Sequence, residues 1–293
     1  MAETTGYVVL EQRGVLAVTG EDRVAFLQGL VSNDMRAVTP ERAVYSLFLT
    51  PQGKYLHDFM VAAEGDALLL EVEAARRDDL LKRLRMYRLR SRIALEDRTA
   101  ERMVVALVGV DALAKAGLPA EPGTAVAFAG GIAFTDPRTA DLGARAILPA
   151  GTDLEALGLG RLPFEAWDSR RLELGIPDGS RDLEVEKAIP LENNLDVFNA
   201  ISWDKGCYMG QELTARTRYR ALIKKKLTPV TLDGPLPAPG TPIRLGDQEA
   251  GEMRSGLQNR ALAMLRLEDL DRATKEQIAF RSGDTMIIPR TPS

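Results

Sequence analysis

Tyr45-Ser46-Leu47-Phe48-Leu49-Thr50-Pro51-Gln52-Gly53-Lys54-Tyr55-Leu56-His57-Asp58-Phe59-Met60-Val61-Ala62 holds two runs rich in aromatic and aliphatic residues. Between them, Pro51-Gln52-Gly53-Lys54 is a turn signal, so Tyr45 to Thr50 and Tyr55 to Ala62 are predicted as strands joined in a hairpin. Upstream, Tyr7 to Leu10 and Val15 to Val18 read as short strands on either side of a turn at Gln12-Arg13-Gly14. A helix is expected next. Thr19 suits its N-cap, Glu21 and Asp22 its positive first turn, and Val24, Leu27 and Val31 recur at helical spacing until Ser32-Asn33-Asp34. Downstream, Ala67 to Val72 reads as a strand and Ala75 to Leu89 as a helix with Leu80, Leu84 and Tyr87 on one face. Strands and helices mixed in this way predict an α+β fold.

A second α+β stretch begins near Arg102. Met103 to Val108, Ala125 to Phe128, Ile132 to Phe134 and Ala144 to Leu148 read as strands, and Pro163 to Leu174 as a helix with Pro in its first turn. Little periodicity follows from Gly175 to about Asp204, a length typical of functional or mobile loops. The last part changes character. Leu227 to Leu232, Ile243 to Leu245, Ala261 to Leu267 and Thr285 to Ile288 alternate with Pro- and Gly-rich punctuation, which predicts a small β-barrel or sandwich. The expected division is 1–98, 99–226 and 227–293, the last being the barrel.

The 293 residues are 45% hydrophobic and 27% charged, an ordinary globular balance that excludes a disordered chain. The net charge of −4 makes no general case for nucleic-acid binding. The longest apolar run, Met103 to Val110, is far below the ~18 residues a membrane helix needs. Met1 to Gly6 shows no secretory signal pattern. With a single cysteine, Cys207, no internal disulfide forms, which fits a reducing compartment; a cytoplasmic location is the expectation. One Cys and one His (His57) fall short of a zinc site built from those two residue types, and no metal site is expected.

The densest chemistry lies in Asp204-Lys205-Gly206-Cys207-Tyr208-Met209-Gly210-Gln211-Glu212. The thiol is two residues from an ammonium, which favours the thiolate, the nucleophilic and metal-binding form. The alternative is a tight turn around an inert cysteine. Arg216, Arg218, Arg220 and Lys224 to Lys226 form a basic run, and a second runs from Arg76 to Arg92; each reads as a solvated face or as an anion or RNA site. Asp58 is an unusual residue for a strand, and on its own reads as a surface residue; His57 points to the opposite face. Glu173 ends a helix, where a carboxylate needs a partner or exposure.

Lys205-Gly206-Cys207-Tyr208-Met209-Gly210-Gln211-Glu212 resembles the K-G-C-[YF]-x-G-Q-E signature of the YgfZ group of folate-binding proteins. That group extends to the mitochondrial iron–sulfur assembly factor IBA57 and is similar to the T-protein (aminomethyltransferase, GcvT) of the glycine cleavage system. The resemblance continues through Phe26 to Asp34, Leu49 to Lys54 with Asp58, Asp136-Pro137-Arg138 with Leu142 to Arg145, Arg171 to Pro177, and Ile189 to Glu192. The chain departs from the T-protein at His57, which precedes Asp58 where an aspartate pair is common. It departs again at Arg138-Thr139-Ala140-Asp141, which lacks an aromatic residue.

The resemblance implies a ring of ferredoxin-like modules with a C-terminal β-barrel, and tetrahydrofolate or a one-carbon derivative as cofactor. Asp58 and Glu173 would address the folate, with Tyr208, Gln211 and Arg216 completing the binding set. Cys207, activated by Lys205, would be the chemical group. The expected role is a folate-binding accessory protein for assembly or repair of iron–sulfur enzymes, acting with iron–sulfur client or assembly proteins and affecting tRNA modification indirectly. The alternatives are a tetrahydrofolate-dependent aminomethyl transferase and an RNA-associated factor using the basic stripes.

Overall fold

A computed structural model describes residues 4–220 and 223–290. Its strands are β1 (Gly6–Val9), β2 (Arg13–Thr19), β3 (Val44–Leu49), β4 (Tyr55–Glu64), β5 (Ala67–Glu73), β6 (Ala94–Asp97), β7 (Arg102–Val108), β8 (Ala125–Phe128), β9 (Gly131–Thr135), β10 (Ala144–Pro149) and β11 (Gly160–Arg161). They continue with β12 (Lys225–Asp233), β13 (Pro242–Leu245), β14 (Gln248–Leu257), β15 (Arg260–Arg266), β16 (Phe280–Ser282) and β17 (Thr285–Pro289). The helices are α1 (Arg23–Gln28), α2 (Arg77–Tyr87), α3 (Ala112–Lys115), α4 (Phe164–Glu173), α5 (Gln211–Tyr219) and α6 (Leu267–Glu276).

The chain forms two compact units, each drawn from separate segments. The first holds 1–52, 56–167 and 196–211, and contains two sheets of order β3-β4-β5-β2-β6 and β11-β1-β7-β10-β9-β8. Strands β2, β3, β5 and β10 are buried along almost their whole length, as expected of apolar runs covered on both faces. Around the second sheet, Val105, Leu107, Ala133, Ala146 and Leu148 pack with Ala112 and Ala116 of the α3 region.

The turn expected at Gln12-Arg13-Gly14 forms one residue earlier, at Glu11-Gln12, with Arg13 N donating to Leu10 O at 2.9 Å, and Arg13 and Gly14 already belong to β2. The strands on either side do not pair with each other. β1 joins the second sheet between β11 and β7, and β2 joins the first between β5 and β6. Turn chemistry is local, whereas partner choice depends on long-range burial. The first helix starts later than expected, at Arg23 with Asp22 as N-cap. Gly20, at φ +99°, turns the chain first, and a Cβ there would lie 2.2 Å from Arg92 O.

The second unit holds 53–55, 168–195 and 212–293. Its strands close into a barrel of order β12-β15-β14-β13-β16-β17, which leaves no free sheet edge. Val230, Leu245, Met253, Leu265, Phe280 and Ile287 fill the interior. A helix, α6, interrupts the run of strands expected here, and its Leu270 and Ala273 pack on that core. The weakly periodic segment after Gly175 is ordered by burial rather than left loose. Ile176, Leu183, Leu191 and Leu195 are buried in this unit, and Ala200 and Ile201 in the first.

Candidate functional site

Asp58 is buried rather than superficial, correcting its reading as a surface residue. The period of two along β4 sends it and His57 to opposite faces. On one face, Tyr45 Oη donates to Asp58 Oδ2 at 2.9 Å. Burial, reinforced by the Asp58 charge, holds the Tyr45 phenol well above its ordinary pKa, so it stays a donor. The Arg138 guanidinium stands 5.6 Å from the centroid of the Tyr45 ring. It also grips Asp136 with two bonds, Nε to Oδ1 at 2.9 Å and Nη2 to Oδ2 at 2.8 Å. Burial opposes both of these charges, yet their mutual attraction lowers the Asp136 pKa and raises that of Arg138.

The chain of charges continues between the two sheets. Arg145 lies 3.5 Å from Asp136 and 3.5 Å from Glu71, and Arg13 bonds Glu71 from β2. Three carboxylates (Asp58, Glu71, Asp136) thus share the interior with Arg13, Arg138 and Arg145. Matched charge is what makes such burial tolerable. Glu71 Oε2 and Arg145 Nε are buried without a hydrogen-bond partner. Tyr45, Glu71 and Arg13 join the site without a sequence motif that marks them. The available signal was Glu71 itself, a charge inside the apolar strand Ala67 to Val72.

On the other face of β4, His57 Nε2 meets Asp79 Oδ2 of α2 at 2.9 Å. Arg83 donates to the same oxygen at 2.8 Å, and Arg76 donates to the carbonyl of Leu56. Burial, helped by Arg76, lowers the His57 pKa to about 4 despite Asp79. His57 is therefore neutral at physiological pH.

In the cysteine motif, Lys205 Nζ donates to the carbonyls of Gln28 at 2.9 Å, Val31 at 2.5 Å and Asn33 at 2.7 Å. These carbonyls lie at and just beyond the end of α1, where helical oxygens lack intrahelical partners. Burial lowers the Lys205 pKa to about 8, with Asp34 pulling against it, so the group is an ammonium at neutral pH. Lys205 also sits 5.2 Å from the centroid of the buried Tyr208 ring. Ser32 and Asn33 hold the preceding segment, Ser32 Oγ donating to Ala200 O at 2.6 Å and Asn33 Nδ2 to Asn199 O at 2.7 Å. On this pinned segment Cys207 is exposed.

Gln211 is the half-buried first residue of α5, and Arg216 is exposed on that helix in the second unit. Glu173 ends α4 in the second unit, and Arg170 donates to its Oε2 at 3.1 Å while Arg260 stands 3.9 Å away. These arginines are the partners that a helix-end carboxylate needs. Nearby, the fully buried Arg171 donates to Asp168 at 2.6 Å, Asp182 at 2.9 Å and Ser255 at 2.7 Å, tying α4 to the barrel strand β14.

Residues 3–115 match the family model described as GCVT N-terminal domain, and residues 224–293 match that described as CAF17, C-terminal beta-barrel domain. In fold the chain resembles the crystal structure of glycine cleavage system aminomethyltransferase T from Bartonella henselae. The TM-score is 0.75 at 16% identity, over 98% of this chain and 85% of that one. Two mammalian relatives are named iron-sulfur cluster assembly factor IBA57, mitochondrial. The Homo sapiens protein is 35% identical over 277 residues, covering 87% of this chain and 76% of that protein. The Mus musculus protein is 35% identical over 309 residues, covering 96% and 82%. A homologue of the same name from Pyricularia oryzae is 30% identical, covering 97% and 78%. The fold is thus that of a GcvT-like α+β protein with a C-terminal barrel. Within that class, the chain belongs to the IBA57 family. The expected cytoplasmic location is corrected by the same finding, since these relatives are mitochondrial proteins.

Proposed function

We propose that this protein is a tetrahydrofolate-binding factor for iron–sulfur cluster assembly or repair, in which Cys207 is the group that meets the iron–sulfur partner. The observation that carries this reading is an exposed thiol on a segment held in place by Lys205. A fixed, accessible thiol is suited to approach by another protein. One thiol cannot hold a cluster that needs four cysteine ligands, so contact with a cluster is shared with the partner. The family name of the relatives supports the iron–sulfur assignment.

The folate reading rests on Asp58 and Tyr45. A pterin ring presents N–H and amino donors, and a buried carboxylate beside a fixed hydroxyl is a fitting acceptor for them. Tyr208 and Gln211, in the unit that holds Asp58, are proposed as further folate-binding residues. Bound folate would supply one-carbon chemistry; the chain's own part is to hold and orient the ring. Effects on tRNA modification follow indirectly, through modifying enzymes that carry clusters.

The test pairs a titration with a rescue. Reduced folate is titrated against the wild type and Asp58→Asn by calorimetry. Cells lacking the protein are complemented with wild type or Cys207→Ala, and the activity of a resident iron–sulfur enzyme is measured. Saturable folate binding weakened by Asp58→Asn, with no rescue by Cys207→Ala, is expected. Absence of binding at millimolar folate overturns the folate reading, and full rescue by Cys207→Ala overturns the role of the thiol.

A further inference from the structure

The C-terminal end of α2 carries an unusual surface. Leu89 is 87% exposed, Met86 66% and Tyr87 38%. Arg85, Arg88 and Arg90 alternate with them, and all three are exposed. None of these arginines forms an ion pair with a described residue, and no carboxylate occurs in the sequence between Asp79 and Glu96. The negative helix terminus accounts for a cation such as Arg85. It does not account for Met86 and Leu89 in water beside the partly covered Tyr87, nor for the Leu89 backbone, which lies at φ +43°. A non-glycine residue held there is strained, and such strain is concentrated at functional positions.

This patch borders the thiol segment. The Tyr87 ring packs edge-on against buried Phe48, with centroids 6.1 Å apart. Its hydroxyl lies 3.7 Å from Sδ of Met209, two residues beyond Cys207. The same tyrosine therefore ties the apolar and arginine-rich end of α2, with the turn that follows it, to the segment that presents the thiol.

We propose that residues 85–90 are the docking surface for the protein that approaches Cys207, and that this partner presents an apolar side chain flanked by carboxylates. The proposal rests on the reading of Cys207 given above. Charge complementarity selects the partner: unpaired guanidinium groups pair with carboxylates bidentately, and the interleaved Met86, Tyr87 and Leu89 supply the area that is desolvated on contact. Opposite charge also speeds encounter, so association is expected to weaken with salt.

The experiment places a photo-crosslinking residue at Leu89 in the full chain inside cells, with Leu236, an exposed residue outside the patch, as control. The expected result is a crosslink to a protein segment containing Asp or Glu, absent from the Leu236 control. Its yield should fall at least tenfold with Arg85→Gln/Arg88→Gln/Arg90→Gln, a variant whose thermal melt is checked against the wild type. No crosslink above the control overturns the proposal. So does a crosslink only to lipid or RNA, or a yield the arginine changes leave unaltered. The two readings fail separately. An arginine-dependent crosslink with full rescue by Cys207→Ala retains the surface and overturns the thiol's role. Loss of rescue without such a crosslink does the reverse.

Discussion

Tyr45 donates its hydroxyl to Asp58 at 2.9 Å, and both side chains are buried. The pair joins adjacent strands, so one carboxylate on β4 is held by a residue of β3. Asp58→Asn keeps the shape and removes the charge. Folate affinity is expected to fall about tenfold or more, the equivalent of roughly 1.4 kcal/mol, while unfolding stays cooperative. Tyr45→Phe leaves the carboxylate one donor short and should cost about 1–2 kcal/mol of stability. Calorimetric titration and urea unfolding of both variants check these outcomes.

Lys205→Met removes the donor shared by three carbonyls around the end of α1. A loss of about 2–3 kcal/mol is expected from urea midpoints. Cys207→Ala, at an exposed position, should change stability by less than about 0.5 kcal/mol while abolishing rescue in cells. Equal destabilisation by both variants would contradict the division between a positioning lysine and a presented thiol.

Glu71 accepts from Arg13 and faces Arg145 at 3.5 Å, with no exposure to solvent. Glu71→Gln leaves two buried guanidinium groups close together with one carboxylate fewer. A loss of about 3–5 kcal/mol is expected, visible as a fall in the thermal midpoint. A change under about 1 kcal/mol would mean that the network does not act as a unit.

His57 gives the fold a pH dependence. Its pKa is about 4 in the folded chain against an ordinary value of 6.5. Between those values the unfolded chain binds the extra proton, so its contribution to stability is full above pH 6.5 and is lost as pH falls toward 4. The total is about 3 kcal/mol. Urea midpoints measured from pH 7 to 4.5 should decline for the wild type and decline less for His57→Gln.

Much of the element pattern was legible locally. The hairpin around Pro51 to Lys54, the strand over Met103 to Val108 and the helix after Pro163 follow from turn residues and apolar runs that act over a few positions. Helix α6 was not legible because Leu267, Leu270, Ala273 and Thr274 are the uncharged positions of a short charged stretch set among strands, and its packing on the barrel core is a tertiary effect. The burial of Asp58 is not legible for a related reason: a polar residue on a strand carries no mark of what faces it.

The kinds of element, the all-β character of most of the C-terminal part and the family are legible locally, because propensity, turn chemistry and the Lys205 to Glu212 motif are written in contiguous residues. Tertiary structure decided which charges meet. Glu71 finds Arg13 and Arg145 from 58 and 74 residues away, and Lys205 finds the end of α1 from more than 170. Those pairings arise where buried strands and a helix end bring polar groups out of water, so each charge is met by whatever opposite charge or acceptor the fold places beside it.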